Sequence, residues 1–507
     1  MCDGCRLSRV RRPPCAPRTE ETPVPAADPS TLPVAVIGAG PVGLAAAAHL
    51  LARGLEPIVF EAGPEPASAV NAWGHIRLFS PWRYDIDPAA RALLESTGWT
   101  EPDLDRLPTG AELVADYLAP LAATPELSGR IRTSTRVVAV SREGMDRTRS
   151  HERETTPFLV RVADAQGAVT DHRVRAVIDA SGTWHTPNPL GQAGLPATGE
   201  AAARAAGLVT SPLPDVTGRD RAEFAGRRVL VVGAGHSAAN TLLALAELRA
   251  EEADTRISWA IRSALPDAVY GGEDQDGLPA RGALGARLRA LVESGAVELH
   301  TEFTITGLES GDGVTVHADT PAGPVALEVD RVVPTTGFRP DLGMLREVRL
   351  ALDPVVEAPR ELGPLIDPEF HSCGTVPPHG ARLLAHPDPD FYIVGMKSYG
   401  RAPTFLMATG YEQVRSIAAA LAGDREAAER VELVLPETGV CSAGLGSVDG
   451  DEGGCDTPDC ADSGDSGTDA DAACCPPVSA CCPPAAPVSL GIPTGTAHGR
   501  SGQRSHA

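Results

Sequence analysis

Between Cys15 and Cys373 the chain has no cysteine, although it holds 11 among its 507 residues. That gap excludes a structural disulfide framework and fits a reducing compartment. Lysine is scarcer still: Lys397 is the only one, and arginine supplies the remaining positive charge. Aromatic residues make up 4% of the sequence, so any cluster of them stands out. Long apolar runs are missing as well. The alanine-rich stretch from Gly43 to Leu51 is too short to span a bilayer and is closely followed by Arg53. The N-terminus carries Arg6, Arg9, Arg11 and Arg12 but then runs into prolines, with no apolar core or cleavage site of a secretory signal. A soluble, cytoplasmic protein without a membrane partner is expected. The net charge of -23 argues against nucleic acid, because phosphate backbones attract basic surfaces. Much of that acidity lies beyond Leu435.

What is present is an alternation of apolar β-type runs with amphipathic helical stretches, from Leu32 to about Gly423, the pattern of α/β architecture. Residues 1–30 are rich in Pro, Arg, Thr and Ala without periodicity and read as a disordered arm. Residues 436–507 are dominated by Gly, Asp, Ser, Pro and Cys and read as a disordered, acidic, cysteine-rich tail.

One motif occurs twice. Its first copy is Val34-Ala-Val-Ile-Gly38-Ala-Gly40-Pro-Val-Gly43, a helical stretch to Arg53, then Pro57-Ile-Val-Phe-Glu61. Gly38 permits a tight turn, Gly40 lets the backbone approach a pyrophosphate, and Gly43 allows close packing of helix on strand. The helix N-terminus offers N–H groups to the phosphates, and Glu61 stands where a carboxylate binds ribose hydroxyls. The second copy is Arg228-Val-Leu-Val-Val-Gly233-Ala-Gly235-His236-Ser237-Ala238, a helix to about Arg249, then Ile257-Ser-Trp-Ala-Ile-Arg262. Arg262 takes the place of the acid. A carboxylate repels a 2′-phosphate whereas a guanidinium binds it, which favours NADPH over NADH unless Arg262 merely caps a strand in solvent.

Two such units in tandem resemble the flavin-containing monooxygenases and the wider pyridine nucleotide-disulfide oxidoreductase superfamily, from Val34 to Leu421. The resemblance implies two nested Rossmann-like three-layer domains. An FAD domain is split into 31–190 and 331–435, and an NAD(P)H domain at 191–330 is inserted in it. Val177-Ile-Asp-Ala-Ser181-Gly182 is similar to the family's outward crossover, and Val329 to Asp341, with Gly337, to the return segment. Gly395-Met396 falls where the disulfide reductases carry Gly-Asp on the ribityl chain. The following helix, from about Thr404 to Leu421, would direct its N-terminus at the flavin. Trp73-Gly-His75-Ile-Arg77-Leu-Phe79-Ser80-Pro81-Trp82-Arg83-Tyr84 would run along the isoalloxazine as a ring-lined pocket, or else form a core cluster under a long loop.

The expected cofactors are thus FAD and NADPH, with NADH the alternative. The expected cofactor-binding residues are Gly38, Gly40, Gly43, Glu61, Arg77, Ser181, Gly182, Gly233, Gly235, Ser237, Arg262, Gly337, Gly395 and Met396. Catalytic candidates are Lys397 and His236. Lys397 is either beside the flavin or a surface lysine; His236, like His185, is either a cofactor contact or a plain turn residue.

The acceptor of the electrons defines the enzyme. Disulfide reductases need a cysteine pair beside the cofactors, and here there is none outside the termini. By the resemblance, reduced flavin would react with O2 and hold a C4a-hydroperoxide that oxygenates a small substrate. The family's F-x-G-x-x-x-H fingerprint is absent: Phe224-Ala-Gly226 is followed directly by a strand. Reductase chemistry is the alternative. Vicinal pairs Cys474-Cys475 and Cys481-Cys482 suit a thiophilic metalloid. Together with the tail, the chain resembles monooxygenase-like flavoproteins of actinobacterial arsenic-resistance clusters. A metalloid-binding or redox-sensing flavoprotein without turnover is the third reading. Cys373 is expected to pack as a small apolar residue.

Overall fold

The computed structural model describes residues 31–266, 270, 279–367, 378–402 and 405–433. The arm, the cysteine tail and Cys373 lie outside the described residues. In chain order the first strands are β1 (Val34–Ile37), β2 (Pro57–Phe60), β3 (Ile131–Arg132) and β4 (Thr135–Arg142). They are followed by β5 (Phe158–Asp164), β6 (Val169–Val174) and β7 (Ala176–Asp179). β1 and β7 are buried at every position, as strands covered on both faces must be. The second run comprises β8 (Arg228–Val232), β9 (Arg256–Ala260), β10 (Glu298–His300), β11 (Thr304–Ser310), β12 (Val314–Thr320), β13 (Gly323–Val329) and β14 (Arg331–Pro334). β15 (Phe391–Ile393) comes last.

Two parallel sheets result, one ordered β15-β7-β1-β2-β3 and the other β10-β9-β8-β14. The chain leaves the first sheet after β7, builds the second, and returns to pair β15 with β7. The nesting is therefore a property of strand pairing. Side-chain alternation assigns the two faces of each sheet. Val34 and Val36 face a core with the helices Pro41–Ala52, Pro88–Glu95 and Met407–Leu421. Ala35 and Ile37 face Val137, Val140, Phe158 and Val160 of an antiparallel sheet β4-β5-β6. The second unit repeats the plan. Val229 and Val231 meet the helices His236–Glu251 and Pro279–Glu293, and Leu230 and Val232 meet the antiparallel sheet β11-β12-β13. Each unit is a three-layer α/β sandwich, as expected; that its outer layer is an antiparallel sheet was not anticipated.

The two connecting segments are pinned to each other. Asn188 N–H donates to Gly337 O at 2.9 Å, Arg339 N–H to Thr186 O at 3.0 Å, and the Thr336 hydroxyl to Asn188 O at 2.6 Å. The Trp184 and Phe338 rings pack beside them in a tilted arrangement with centroids 5.3 Å apart. The helix expected from about Thr404 starts at Met407, because Leu406 is held extended at φ -103°, ψ 139° as its N-cap.

Candidate functional site

Strand register builds the first edge. Ile37 pairs with Phe60 on one side and with Asp179 on the other, and Asp179 pairs with Ile393. The four strands therefore end level, and Gly38, Glu61, Ala180 and Val394 follow at one edge. β2 lies to one side of β1 and β7 to the other, so the crevice beyond these ends is a topological switch point, where open α/β sheets bind ligands.

The glycines of the first turn divide the work as their spacing implies. Gly38 has φ +98°, and a Cβ there would lie 2.8 Å from Ala180 O. At Gly43 a Cβ would come within 2.0 Å of Gly38 O. At Gly40 a Cβ would meet nothing within 4 Å: the backbone there borders open space. The helix Pro41–Ala52 starts after Gly40 with Pro41 in its first turn and no side-chain cap, so its leading N–H groups remain for a ligand. Glu61 Oε2 accepts from Ala39 N–H at 2.8 Å and Oε1 from Gly63 N–H at 2.7 Å. These bonds aim the carboxylate at the edge and leave it lone pairs for ribose hydroxyls. A cradle lined by backbone donors, with a carboxylate alongside, fits the diphosphate and ribose of FAD.

The β7 and β15 ends complete this edge. Gly182 (φ +67°) also borders open space, while Gly395 (φ +65°) is packed against Val42 and donates its N–H to Gln413 Oε1 at 2.8 Å. Met396 is half-buried. Lys397 is no surface lysine, for it is 1% exposed. Its Nζ donates to Asp179 Oδ2 at 2.7 Å and to Ser181 Oγ at 3.0 Å, and Ser181 Oγ donates to Asp179 Oδ1 at 2.6 Å. Sequence reasoning missed Asp179, although a carboxylate ending the apolar strand Ala-Val-Ile-Asp is a visible signal. It also missed Gln413, which carried none.

At the second edge Val232 pairs with Ala260 and with Pro334. A Cβ on Gly233 (φ +135°) would lie 2.2 Å from Thr335 O, whereas one on Gly235 would meet nothing within 4 Å. The helix His236–Glu251 again begins without a side-chain cap, with Ser237 half-buried in its first turn. Arg262 is exposed just beyond β9. The His236 ring lies 5.2 Å from that of Phe79, so the aromatic loop of the first unit touches the glycine turn of the second. His185 is exposed.

The aromatic segment itself divides. Trp82 is fully buried in the core and Trp73 packs against it, so the rings do not all line one pocket. Arg77 is exposed, and its guanidinium donates to Leu107 O at 2.7 Å, buttressing its own loop. Behind the segment lies a buried polar cluster. His49 Nε2 is 2.9 Å from Asp87 Oδ2, the Tyr411 hydroxyl donates to Asp85 O at 2.8 Å, and the Ser80 hydroxyl to Asp85 Oδ1 at 2.8 Å. Asp85 Oδ2 and Trp82 Nε1 are buried with no hydrogen-bond partner among the described residues. Burial pushes the Asp85 carboxyl up to about 7, the Ser80 hydrogen bond opposing. Among the described residues no group of His, Cys, Asp or Glu could hold a metal ion, and no helix is long and apolar enough to cross a membrane.

Two nested parallel sheets with a glycine edge on each give the chain a fold with two dinucleotide-binding edges, and its first part matches an FAD-dependent oxidoreductase domain. Residues 33–155 match the family model described as FAD dependent oxidoreductase. A ferredoxin–NADP reductase of Paramagnetospirillum magneticum is 29% identical over 138 residues, 27% of this chain and only 36% of that protein. Among solved structures, the bacillithiol disulfide reductase Bdr (YpdA) of Bacillus cereus is similar, at TM-score 0.58 and 18% identity over 77% of this chain and 99% of that one. The ornithine hydroxylase PvdA of Pseudomonas aeruginosa gives TM-score 0.53 at 14% identity, over 78% of this chain and 99% of that one. At these identities the likeness is one of fold.

Proposed function

We propose that the chain is an NADPH-consuming, FAD-dependent monooxygenase of a small soft nucleophile. The observation that carries this reading is the absence of cysteine between Cys15 and Cys373, a span that covers both glycine turns. Without a thiol relay in this span, electrons pass directly to O2 or to a molecule brought from outside. When bound, FAD supplies the two-electron chemistry, accepting hydride and passing electrons on. The balanced reaction is NADPH, H+, O2 and substrate giving NADP+, water and the oxygenated substrate. Gly40 and the first turn of the helix Pro41–Ala52 would hold the diphosphate of FAD, and Glu61 its adenosine ribose. Gly235, Ser237 and the N-terminus of the helix His236–Glu251 would hold the diphosphate of NADPH. The helix Met407–Leu421 packs on the start of the helix Pro41–Ala52, where Gly410 lies against Val42. Its positive end would favour negative charge on the reduced cofactor.

Arg262 would bind the 2′-phosphate. Arg262→Ala is then expected to raise KM for NADPH about tenfold, the loss of one charge-assisted bond, while leaving KM for NADH alone. Equal effects on both coenzymes would count against this role.

A second reading, NADPH-dependent reduction of a disulfide or of a thiol-bound metalloid, draws on the fold likeness to the bacillithiol disulfide reductase. Arsenicals are the soft substrates that the thiol pairs Cys474-Cys475 and Cys481-Cys482 would suit. NADPH consumption and oxygen uptake by protein truncated at Leu435 separate the readings. Matched uptake and turnover, with oxygenated product, supports the monooxygenase. Turnover that needs the tail or an added disulfide, without oxygen uptake, supports the reductase. An intact protein that consumes no NADPH with thiol, arsenical or O2 leaves a binding or sensing flavoprotein.

A further inference from the structure

Two opposite charges, on Lys397 and Asp179, lie in the core with no side-chain exposure at all. Removing each from water costs several kcal/mol, and a well-packed apolar pair of the same volume often serves stability as well or better. The segment that carries Lys397 does not need the pair to be held in place. Gln413 already bonds Gly395 N–H and the Ser398 hydroxyl, which donates to Gly395 O at 2.7 Å. The ion pair therefore calls for another account.

The pair is not sealed. Ser181 touches both partners, and Ser181 is exposed at the edge that holds the open spaces beside Gly40 and Gly182. Its hydroxyl has one proton and two lone pairs. The proton goes to Asp179 Oδ1 and one lone pair receives Lys397 Nζ. With the ammonium on the oxygen, the rotor has one place to put its proton. What remains is a single lone pair, which can accept but not donate. Such a group cannot hold a phosphate oxygen, itself an acceptor; it fits a neutral hydroxyl that donates.

We infer that Ser181 accepts a hydrogen bond from a ribityl hydroxyl of FAD, and that Lys397 and Asp179 are positioning residues that fix its direction. This rests on FAD occupying the first edge. It predicts a division within one ligand: the ribityl chain needs Ser181, and the ADP half does not.

The test uses holoprotein, following flavin fluorescence released on dilution, with ADP as displacing ligand. Ser181→Ala is expected to weaken FAD about tenfold, the worth of one hydrogen bond, and to leave the dissociation constant of ADP itself, extracted from the competition, unchanged. Ser181→Thr keeps the hydroxyl and is expected to restore FAD. Lys397→Met alone leaves a buried carboxylate unpaired and is expected to fail in folding. The double variant Asp179→Asn with Lys397→Met removes both charges, and is expected to fold and to lose FAD as Ser181→Ala does. Wild-type FAD retention in Ser181→Ala, or equal losses of FAD and ADP, would overturn the inference. Wild-type protein that holds neither FAD nor ADP overturns the cofactor assignment itself, a failure distinguishable from the first.

Discussion

Gly43→Ala is expected to give protein purified without flavin. The new methyl carbon would sit 2.0 Å from Gly38 O and 3.5 Å from the Ala180 side chain. The closer atom is backbone in the turn itself, and neither neighbour is the free end of a flexible chain. The helix Pro41–Ala52 would have to move off β1, at an overpacking cost of about 1–3 kcal/mol or more. Moving it withdraws the N–H groups that face the ligand. Loss of a tightly held cofactor removes further stability, about 2.7 kcal/mol at a ligand concentration of 100 Kd. Visible flavin absorbance per chain and thermal melting read the two effects. Gly40→Ala is the informative partner, three residues away. Its φ of -77° suits any residue and its Cβ would meet nothing in the protein. It should leave the melting of FAD-free protein alone and still weaken FAD, because the methyl fills space kept for the ligand. Tight FAD binding by Gly40→Ala would mean that the diphosphate does not cross this turn.

The contrast between Gly40 and Gly43 also marks how much was legible beforehand. A strand, turn and helix close in sequence are set by local sterics, so the roles of Gly38, Gly43 and Gly233 follow from spacing alone, as does the level edge that follows from β1 and β2. The antiparallel sheets show a two-residue burial alternation, as in β12, but alternation does not say which strand pairs with which. The Lys397–Asp179 contact joins residues 218 positions apart, brought together only by the register of β15 on β7. Composition suggested that the one lysine was unusual; it did not suggest that it was buried. The aromatic segment was half legible. Phe79 reaches the second glycine turn, but Trp82 went to the core, since a ring count does not tell a pocket wall from packing.

Asp85→Asn is expected to reverse the sign of its effect on stability between acid and mildly alkaline pH. The Asp85 carboxyl lies in the core, and burial raises its pKa from 3.8 to about 7. Between those values the folded protein keeps a proton that the unfolded chain has released, so stability falls as pH rises through this window. Below it the carboxyl is protonated in both states and contributes no penalty; above it the full cost, up to about 4 kcal/mol, is present. Asparagine removes the ionisation. Its oxygen can keep the bond from the Ser80 hydroxyl, while its amide protons enter the space where Asp85 Oδ2 has no partner, at about 1–3 kcal/mol. The amide cost does not depend on pH, and the carboxylate cost does. Asn should therefore melt below the native protein near pH 4 and above it at pH 8, by a few degrees each way for a chain of this size. The groups facing this site include Ser80, the Tyr411 hydroxyl on the Asp85 carbonyl, and Tyr117 with the Asp87–His49 pair. His49→Gln therefore serves as a control for any contribution of that pair. A melting difference between Asp85→Asn and native protein that stays constant from about pH 4 to 8 would show that the carboxyl does not hold its proton in the folded core.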